Sequence, residues 1–195
     1  MMPHSFRAIR PPSRKVILRA CVAASFLTAA CDPPPAPEPA GAAVVDAPQR
    51  QAAAPLPAAV AATVDQLRAI GATGTYRDMA KLADQTPGFH SNNAGMSHSE
   101  YWYLKMRTGD WPMAQMEKLL TSPYAVRPSA RGKVYIWPLM ATLPVDQITP
   151  AIAREMDRLL GEGQADAIRN GLAWPGYVLG VAEDGTWLYF VSGAG

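Results

Sequence analysis

Apolar residues along the chain recur with two periods, one typical of helices and one typical of strands. Between residues 58 and 171, several segments place apolar side chains every three or four positions, which puts them on one face of an α-helix. The predicted helices cover residues 58–70, 76–84 and 100–108, two segments that begin after Asp110 and at Pro150, and a short segment over residues 163–171.

Capping residues mark the starts of four of these helices. Thr75 precedes the second helix, and Ser97 with Glu100 three positions later predicts a capping box for the third. Asp110 is the predicted cap of the fourth helix. Thr149–Pro150 opens the fifth, because proline at the first helical position loses no hydrogen bond.

Strand-like patterns occupy the remainder of this region. The segment KVYIW, residues 133–137, is a predicted strand, and residues 176–193 form a predicted hairpin around Asp184–Gly185. This residue pair is typical of a two-residue type I′ turn. A two-residue turn at this position sets the strand register so that Ala182 pairs with Trp187 and Gly180 with Tyr189.

Both faces of the predicted hairpin are apolar, which indicates a hairpin that is covered on both sides or partly exposed as a binding surface. The predicted fold class is therefore α+β, with several short helices packed on a small antiparallel sheet that ends in the C-terminal β-hairpin. The stretch Tyr135-Ile136-Trp137-Pro138 followed by this hairpin resembles uncharacterised exported proteobacterial domains, from which no activity carries over.

The N-terminus has the composition of an export signal. Five basic residues and no acidic one precede Asp32, and residues 20–30 are all apolar or small. This apolar run is much shorter than the roughly 20 residues that a membrane-spanning helix needs. Residues 1–30 are therefore a predicted signal peptide.

The stretch Leu27-Thr28-Ala29-Ala30-Cys31 resembles the lipobox of bacterial lipoproteins. The resemblance implies diacylglycerol on the sulfur of Cys31, cleavage before it, and acylation of the new amino terminus by a fatty acid such as palmitate. Thr28 stands where this pattern usually has leucine. Residues 28–30 also suit ordinary signal peptidase, so a soluble periplasmic protein stays the alternative. The choice between inner and outer membrane stays open.

Residues 31–57 form a predicted disordered tether that begins with the lipidated cysteine. Proline and alanine dominate it, and such a composition buries too little apolar surface to offset the entropy of ordering. Residues 58–195 are the predicted single globular domain, which holds every tryptophan and tyrosine of the chain.

Charge and cysteine content exclude two classes of function. The chain has 18 basic and 16 acidic residues, but removal of residues 1–31 takes five basic ones, which leaves a net charge of −3. No basic surface for nucleic acid is predicted. Cys21 leaves with the signal peptide and Cys31 carries lipid, so thiol catalysis is excluded as well.

Residues 88–106 hold the clearest candidate chemistry, and three interpretations stay open. His90, Met96 and His98 offer ligands for Cu(I). Either histidine, beside a serine, offers the base of a periplasmic hydrolase, although the chain has no Gly-x-Ser-x-Gly, Ser-x-x-Lys or His-Glu-x-x-His motif. The third interpretation is a polar loop that leads into a capped helix. No catalytic residue and no cofactor is predicted.

The aromatic residues have two interpretations, a glycan- or peptide-binding groove or the hydrophobic core. The leading binding candidates are Trp102, Trp137, Trp187 and Tyr189. The sequence thus predicts an exported envelope lipoprotein, anchored in the membrane by lipid, whose domain in the periplasm binds or scaffolds an envelope protein or cell-wall partner.

Overall fold

The computed structural model describes residues 55–130 and 132–193. The predicted signal peptide, Cys31 and nearly all of the predicted tether lie outside the described residues. The helices are α1 (Ala58–Thr73), α2 (Tyr76–Gln85), α3 (His98–Arg107), α4 (Pro112–Leu120), α5 (Pro150–Leu160) and α6 (Gln164–Arg169). The strands are β1 (Ala125–Ser129), β2 (Gly132–Trp137), β3 (Tyr177–Ala182) and β4 (Trp187–Ser192). Two short 3₁₀ helices, Leu139–Thr142 and Val145–Gln147, lie between β2 and α5.

The four strands form one antiparallel sheet in the order β1-β2-β3-β4, which confirms the predicted α+β class and the C-terminal hairpin. The outer side of β4 is covered by the segment around His90. The His90 N–H donates to the carbonyl of Leu188 over 2.9 Å, and the Phe190 N–H donates to the carbonyl of His90 over 3.1 Å. Strand β1, at the opposite edge, contains Pro128.

Two hydrophobic cores lie on opposite faces of the sheet. The large core packs α1 to α4 against one face, and the small core packs α5, α6 and the first 3₁₀ helix against the other. Buried side chains of the large core include Val60, Val64, Leu67, Met79, Trp102, Met116, Leu119, Leu120, Trp137, Leu179, Trp187 and Phe190. Those of the small core are Ala125, Leu139, Met140, Ile148, Ala153, Met156, Leu159, Ala165 and Trp174.

Side-chain capping explains where three of the six described helices begin. The Thr75 hydroxyl accepts from the Asp78 N–H, and the Asp78 carboxylate accepts from the Thr75 N–H over 2.8 Å, which completes a capping box. Ser97 makes only the first half of its predicted box, by accepting from the Glu100 N–H over 3.2 Å. Thr149 caps α5 as predicted, with Pro150 in the first turn.

Two of the sequence-based helix predictions were wrong. Asp110 does not cap α4, because Trp111 occupies the N-cap position and the Asp110 carboxylate binds side chains elsewhere. Helix α1 ends at Thr73, three residues beyond the predicted range 58–70. A Cβ on Gly71 would lie 3.2 Å from Cβ of Glu117, so this glycine serves the close approach of α1 to α4 rather than a helix end.

The predicted type I′ turn of the hairpin was also wrong. The Gly185 N–H donates to the Ala182 carbonyl over 2.9 Å, and the Ala182 N–H donates to the Thr186 carbonyl over 2.9 Å, so the loop has three residues. Within it only Gly185 has a positive φ, of 88°, whereas a type I′ turn needs two such residues. Val181 therefore pairs with Trp187, which turns the indole toward the large core. The predicted pairing of Gly180 with Tyr189 is confirmed.

Candidate functional site

A cavity of about 500 Å³ opens where the large and small cores meet. Its wall is built from the end of α3, the loop before α4, α4 itself, the α5–α6 region and the ends of the hairpin strands. The polar residues that line it are Lys105, Asp110, Gln115, Gln164, Tyr177 and Ser192. The volume lies within the range of roughly 300 to 1,000 Å³ that is typical of small-molecule sites.

Four of these side chains form one hydrogen-bonded group, which we call the Asp110 cluster: Lys105, Asp110, Tyr177 and Ser192. Oδ2 of Asp110 accepts from Nζ of Lys105 over 3.0 Å and from the phenol of Tyr177 over 2.7 Å. Nζ of Lys105 also donates to Oγ of Ser192 over 3.3 Å. The cluster therefore ties α3 and the loop before α4 to both strands of the hairpin.

The surroundings of Tyr177 in the Asp110 cluster favour its protonated form. Burial, reinforced by the adjacent Asp110 carboxylate, raises the pKa of Tyr177 well above its ordinary value, so its phenol stays a neutral donor. Nζ of Lys105 lies 5.8 Å from the ring centroids of both Tyr101 and Tyr177, which is cation–π distance. The ammonium and the carboxylate balance each other, so the cluster carries no net charge.

This arrangement suits binding better than catalysis. The Lys105 ammonium donates to both Asp110 and Ser192, so it has no lone pair with which to accept the hydroxyl proton of Ser192. A serine nucleophile needs an adjacent base to activate it. The Asp110 cluster therefore presents a preorganised set of donors and acceptors rather than an activated nucleophile.

Three polar groups on residues that line the cavity have no partner among the described residues. Oδ1 of Asp110 and the carboxamides of Gln115 and Gln164 make no hydrogen bond with any other residue that the structure describes. The apolar part of the wall consists of Leu119, Leu159, Leu160 and Trp174. The Trp174 indole N–H donates to the Tyr177 carbonyl over 3.3 Å, which fixes the orientation of its ring.

The binding candidates among the tryptophans lie in the large core. Trp102, Trp137 and Trp187 are 0%, 2% and 1% exposed, so their faces pack against protein. Trp102 and Trp187 are stacked with 6.4 Å between ring centroids. Tyr189 is half-buried on the other face of the sheet, where its ring lies over Gly180 and burial raises its pKa.

Neither histidine of residues 88–106 is among the residues that line the cavity. Nδ1 of His98 lies 2.6 Å from Oδ1 of Asp84, and its ring is stacked on Trp102 with 5.4 Å between centroids. His90 is exposed and its backbone pairs with β4, whereas Met96 packs against the large core. Across residues 55–130 and 132–193, no three His, Cys, Asp or Glu side chains are placed to hold a metal ion.

No local sequence pattern marks the Asp110 cluster. Lys105 and Asp110 are five residues apart. Tyr177 follows its partner Asp110 by 67 residues, and Ser192 follows its partner Lys105 by 87 residues. Only the packing of the hairpin beside α3 brings them together. Comparison with protein-family models, with curated proteins and with solved structures gives no match to this chain.

Proposed function

We propose that this chain is a lipid-anchored binding protein of the bacterial envelope, whose domain holds a partner molecule in the cavity beside the Asp110 cluster. The observation that carries the binding role is the combination of internally paired charges with three free polar groups in one cavity. The hydrogen bonds within the Asp110 cluster position its side chains before a ligand arrives, which lowers the cost of binding. It offers no activated nucleophile.

The lipid anchor is part of the same proposal and rests on the lipobox-like sequence that ends at Cys31. Two or three acyl chains meet the requirement that stable anchoring takes more than one lipid signal. Of the helices in residues 55–130 and 132–193, none is long and apolar enough to cross a bilayer. Attachment through Cys31 is the route that we propose.

A photo-crosslinking experiment tests the binding role. A benzophenone side chain replaces Gln115, which lines the cavity, and in a matched control it replaces Gln85, an exposed glutamine outside the lining. After irradiation in intact host cells, we expect a discrete adduct from the Gln115 position and none from the Gln85 position. Equal labelling at both positions, or none at the Gln115 position, would contradict the proposal.

Intact mass of the full-length chain from host membranes tests the anchor. We expect a chain that begins at Cys31 with diacylglycerol and one further acyl group. The Cys31→Ser variant is the control, and it should appear without lipid in the soluble fraction. A wild-type chain that begins at an unmodified Cys31 would make the protein a soluble periplasmic one.

A hydrolase that uses His98 is a second candidate, because one observation favours it. The Asp84 carboxylate on Nδ1 of His98 is the contact by which a carboxylate orients a general base in hydrolytic sites. The His98 ring, however, packs against Phe89 and Trp102, and His98 is not among the residues that line the cavity. Binding in the cavity is therefore the better-supported function.

A further inference from the structure

The ion pair between Lys105 and Asp110 forms part of the cavity wall. Nζ of Lys105 lies 3.0 Å from Oδ2 of Asp110, and the two side chains are 27% and 29% exposed. The pair is therefore only partly buried. Because both residues line the cavity, their charges are within reach of a molecule that enters it.

Each member of this ion pair keeps hydrogen-bonding capacity that the described residues do not use. The Lys105 ammonium has three N–H donors, of which two go to Asp110 and Ser192. Oδ2 of Asp110 accepts from Lys105 and Tyr177, whereas Oδ1 has no hydrogen-bond partner among the described residues. The pair therefore retains one charged donor and one charged acceptor for a ligand.

The opposite charges of the pair select against a ligand that carries only one kind of charge. An anion that is attracted to the Lys105 ammonium is repelled by Asp110, and a cation that is attracted to Asp110 is repelled by Lys105. An uncharged ligand meets neither repulsion, but it forgoes the Coulomb attraction at both positions. A ligand with one positive and one negative group close together gains this attraction twice.

The closeness of the two charges matches that in a free α-amino acid. Its ammonium and carboxylate are bonded to one carbon, which places the nitrogen about 3 Å from a carboxylate oxygen. The two charges of the pair are similarly close, with 3.0 Å between Nζ of Lys105 and Oδ2 of Asp110. In an extended peptide, by contrast, each added residue moves the terminal charges apart by about 3.3–3.6 Å. Such a peptide does not place both terminal charges on this pair.

The apolar part of the cavity wall indicates the kind of side chain that the amino acid carries. This part consists of Leu119, Leu159, Leu160 and Trp174. An apolar side chain that lies against these residues is removed from water, which favours binding. The cavity volume of about 500 Å³ lies within the range that is typical of small-molecule sites.

We propose that the cavity binds a free α-amino acid with an apolar side chain. The carboxylate of the amino acid accepts from the Lys105 ammonium, and its own ammonium donates to Oδ1 of Asp110. The apolar side chain packs against the leucines and the tryptophan of the cavity wall. This inference rests on the proposed binding function and adds the class of ligand to it.

Isothermal titration calorimetry of the full-length chain in detergent tests the ligand class. The probes are leucine and phenylalanine, each as the L and the D isomer, and the dipeptide leucyl-leucine. For each amino acid that binds, the N-acetyl and the carboxamide derivatives are titrated next, since each derivative removes one of the two charges. We expect saturable binding of at least one amino acid, with both of its derivatives and the dipeptide weaker by about tenfold or more.

Substitution of Asp110 connects the binding to the ion pair. Asp110→Asn removes the negative charge at nearly constant shape and should weaken binding of the same amino acid about tenfold or more. The matched control, Asp146→Asn, changes an exposed aspartate outside the cavity lining and should bind within about twofold of wild type. Urea unfolding shows whether Asp110→Asn is folded at the assay temperature. The derivative titrations use the wild-type chain, so they test both charges even if this variant does not fold.

The outcomes separate this inference from the proposed function. If none of the four amino acids binds, or if either derivative binds as tightly as its parent, the amino-acid inference is wrong. Unchanged binding in folded Asp110→Asn would overturn it as well. Tighter binding of leucyl-leucine than of leucine would overturn it and would identify a peptide site instead. In each of these cases, an adduct at the Gln115 position would still support a binding function.

Discussion

The phenol of Tyr177 donates a hydrogen bond to Oδ2 of Asp110 over 2.7 Å, across 67 residues of sequence. This bond joins the first strand of the hairpin to the loop that leads into α4. The same carboxylate oxygen holds Lys105, so one atom of Asp110 links three elements of the cavity wall. The bond is both a structural tie and part of the proposed ligand site.

Tyr177→Phe should lower the free energy of unfolding by about 1–2 kcal/mol, because a buried hydrogen bond to a charged group is lost while the ring is kept. Urea unfolding of the full-length chain measures this change. Tyr103→Phe is the matched control, since its exposed hydroxyl makes no hydrogen bond with the described residues, and it should change stability by less than about 0.5 kcal/mol. Equal effects of both substitutions would contradict the prediction.

Alkaline pH should destabilise the domain through Tyr177. An unfolded tyrosine loses its proton near pH 10, whereas burial beside Asp110 raises the pKa of Tyr177 and keeps its proton on in the folded state. Above pH 10 the folded state therefore binds more protons, so stability is present below pH 10 and falls as the pH rises, by up to about 1.4 kcal/mol per pH unit.

Urea unfolding at pH 9, 10 and 11 checks this dependence. Tyr177→Phe should show a shallower loss of stability than wild type over this range. A residual slope is expected because burial also raises the pKa of Tyr135 and Tyr189. Parallel curves for wild type and variant would show that Tyr177 does not hold its proton more tightly in the folded state.

Gly180→Ala should destabilise the hairpin by about 1–3 kcal/mol, because a Cβ at this position would overlap the ring of Tyr189. The same alanine in a Tyr189→Ala background should cost much less, since the ring is then absent. A double-mutant cycle by urea unfolding gives this coupling. A coupling near zero would mean that the ring does not lie across the glycine in solution.

His98→Ala should lower the free energy of unfolding by about 1–2 kcal/mol, because the ring packs against Phe89 and Trp102 and bonds to Asp84. The matched control, His90→Ala, should change it by less than about 0.5 kcal/mol, because the His90 side chain is exposed. Thermal or urea unfolding distinguishes the two. A larger cost at His90 would reverse the assignment of a structural role.

The same two variants test the hydrolase alternative. If the full-length chain turns over any ester or amide substrate, a role for His98 as the base requires that folded His98→Ala lose this activity. Folding of the variant is confirmed by its unfolding curve at the assay temperature. Retained turnover in both His98→Ala and His90→Ala would exclude each histidine as the base.

Helix starts could be predicted from the sequence because their causes are local. Thr75 and Thr149 each bond to a backbone N–H three residues later, so the sequence within one turn contains the information. The turn of the hairpin could not be settled in this way. Asp184–Gly185 is compatible with two- and three-residue loops. The structure has the three-residue loop, and with it Trp187 packs in the large core.

The residues of the candidate site could be predicted from local sequence even less well than the hairpin turn. Asp110 lies two residues before the first residue of α4, and the sequence predicts a capping role for it because aspartate is common at helix starts. Its observed partners, Lys105 and Tyr177, meet only after the hairpin has packed against α3. The three tryptophans that were leading binding candidates are in the core, whereas the exposed Trp111 carried no sequence feature to distinguish it from them.

The pairing of β4 with the segment around His90 affects how the protein behaves at high concentration. Exposed strand edges are templates on which other chains add strands and aggregate. One edge of this sheet is covered by the backbone of His90, and the other is a five-residue strand interrupted by Pro128, which lacks an N–H. Many copies crowded together therefore meet little unpaired edge, and growth of a shared sheet between molecules is disfavoured.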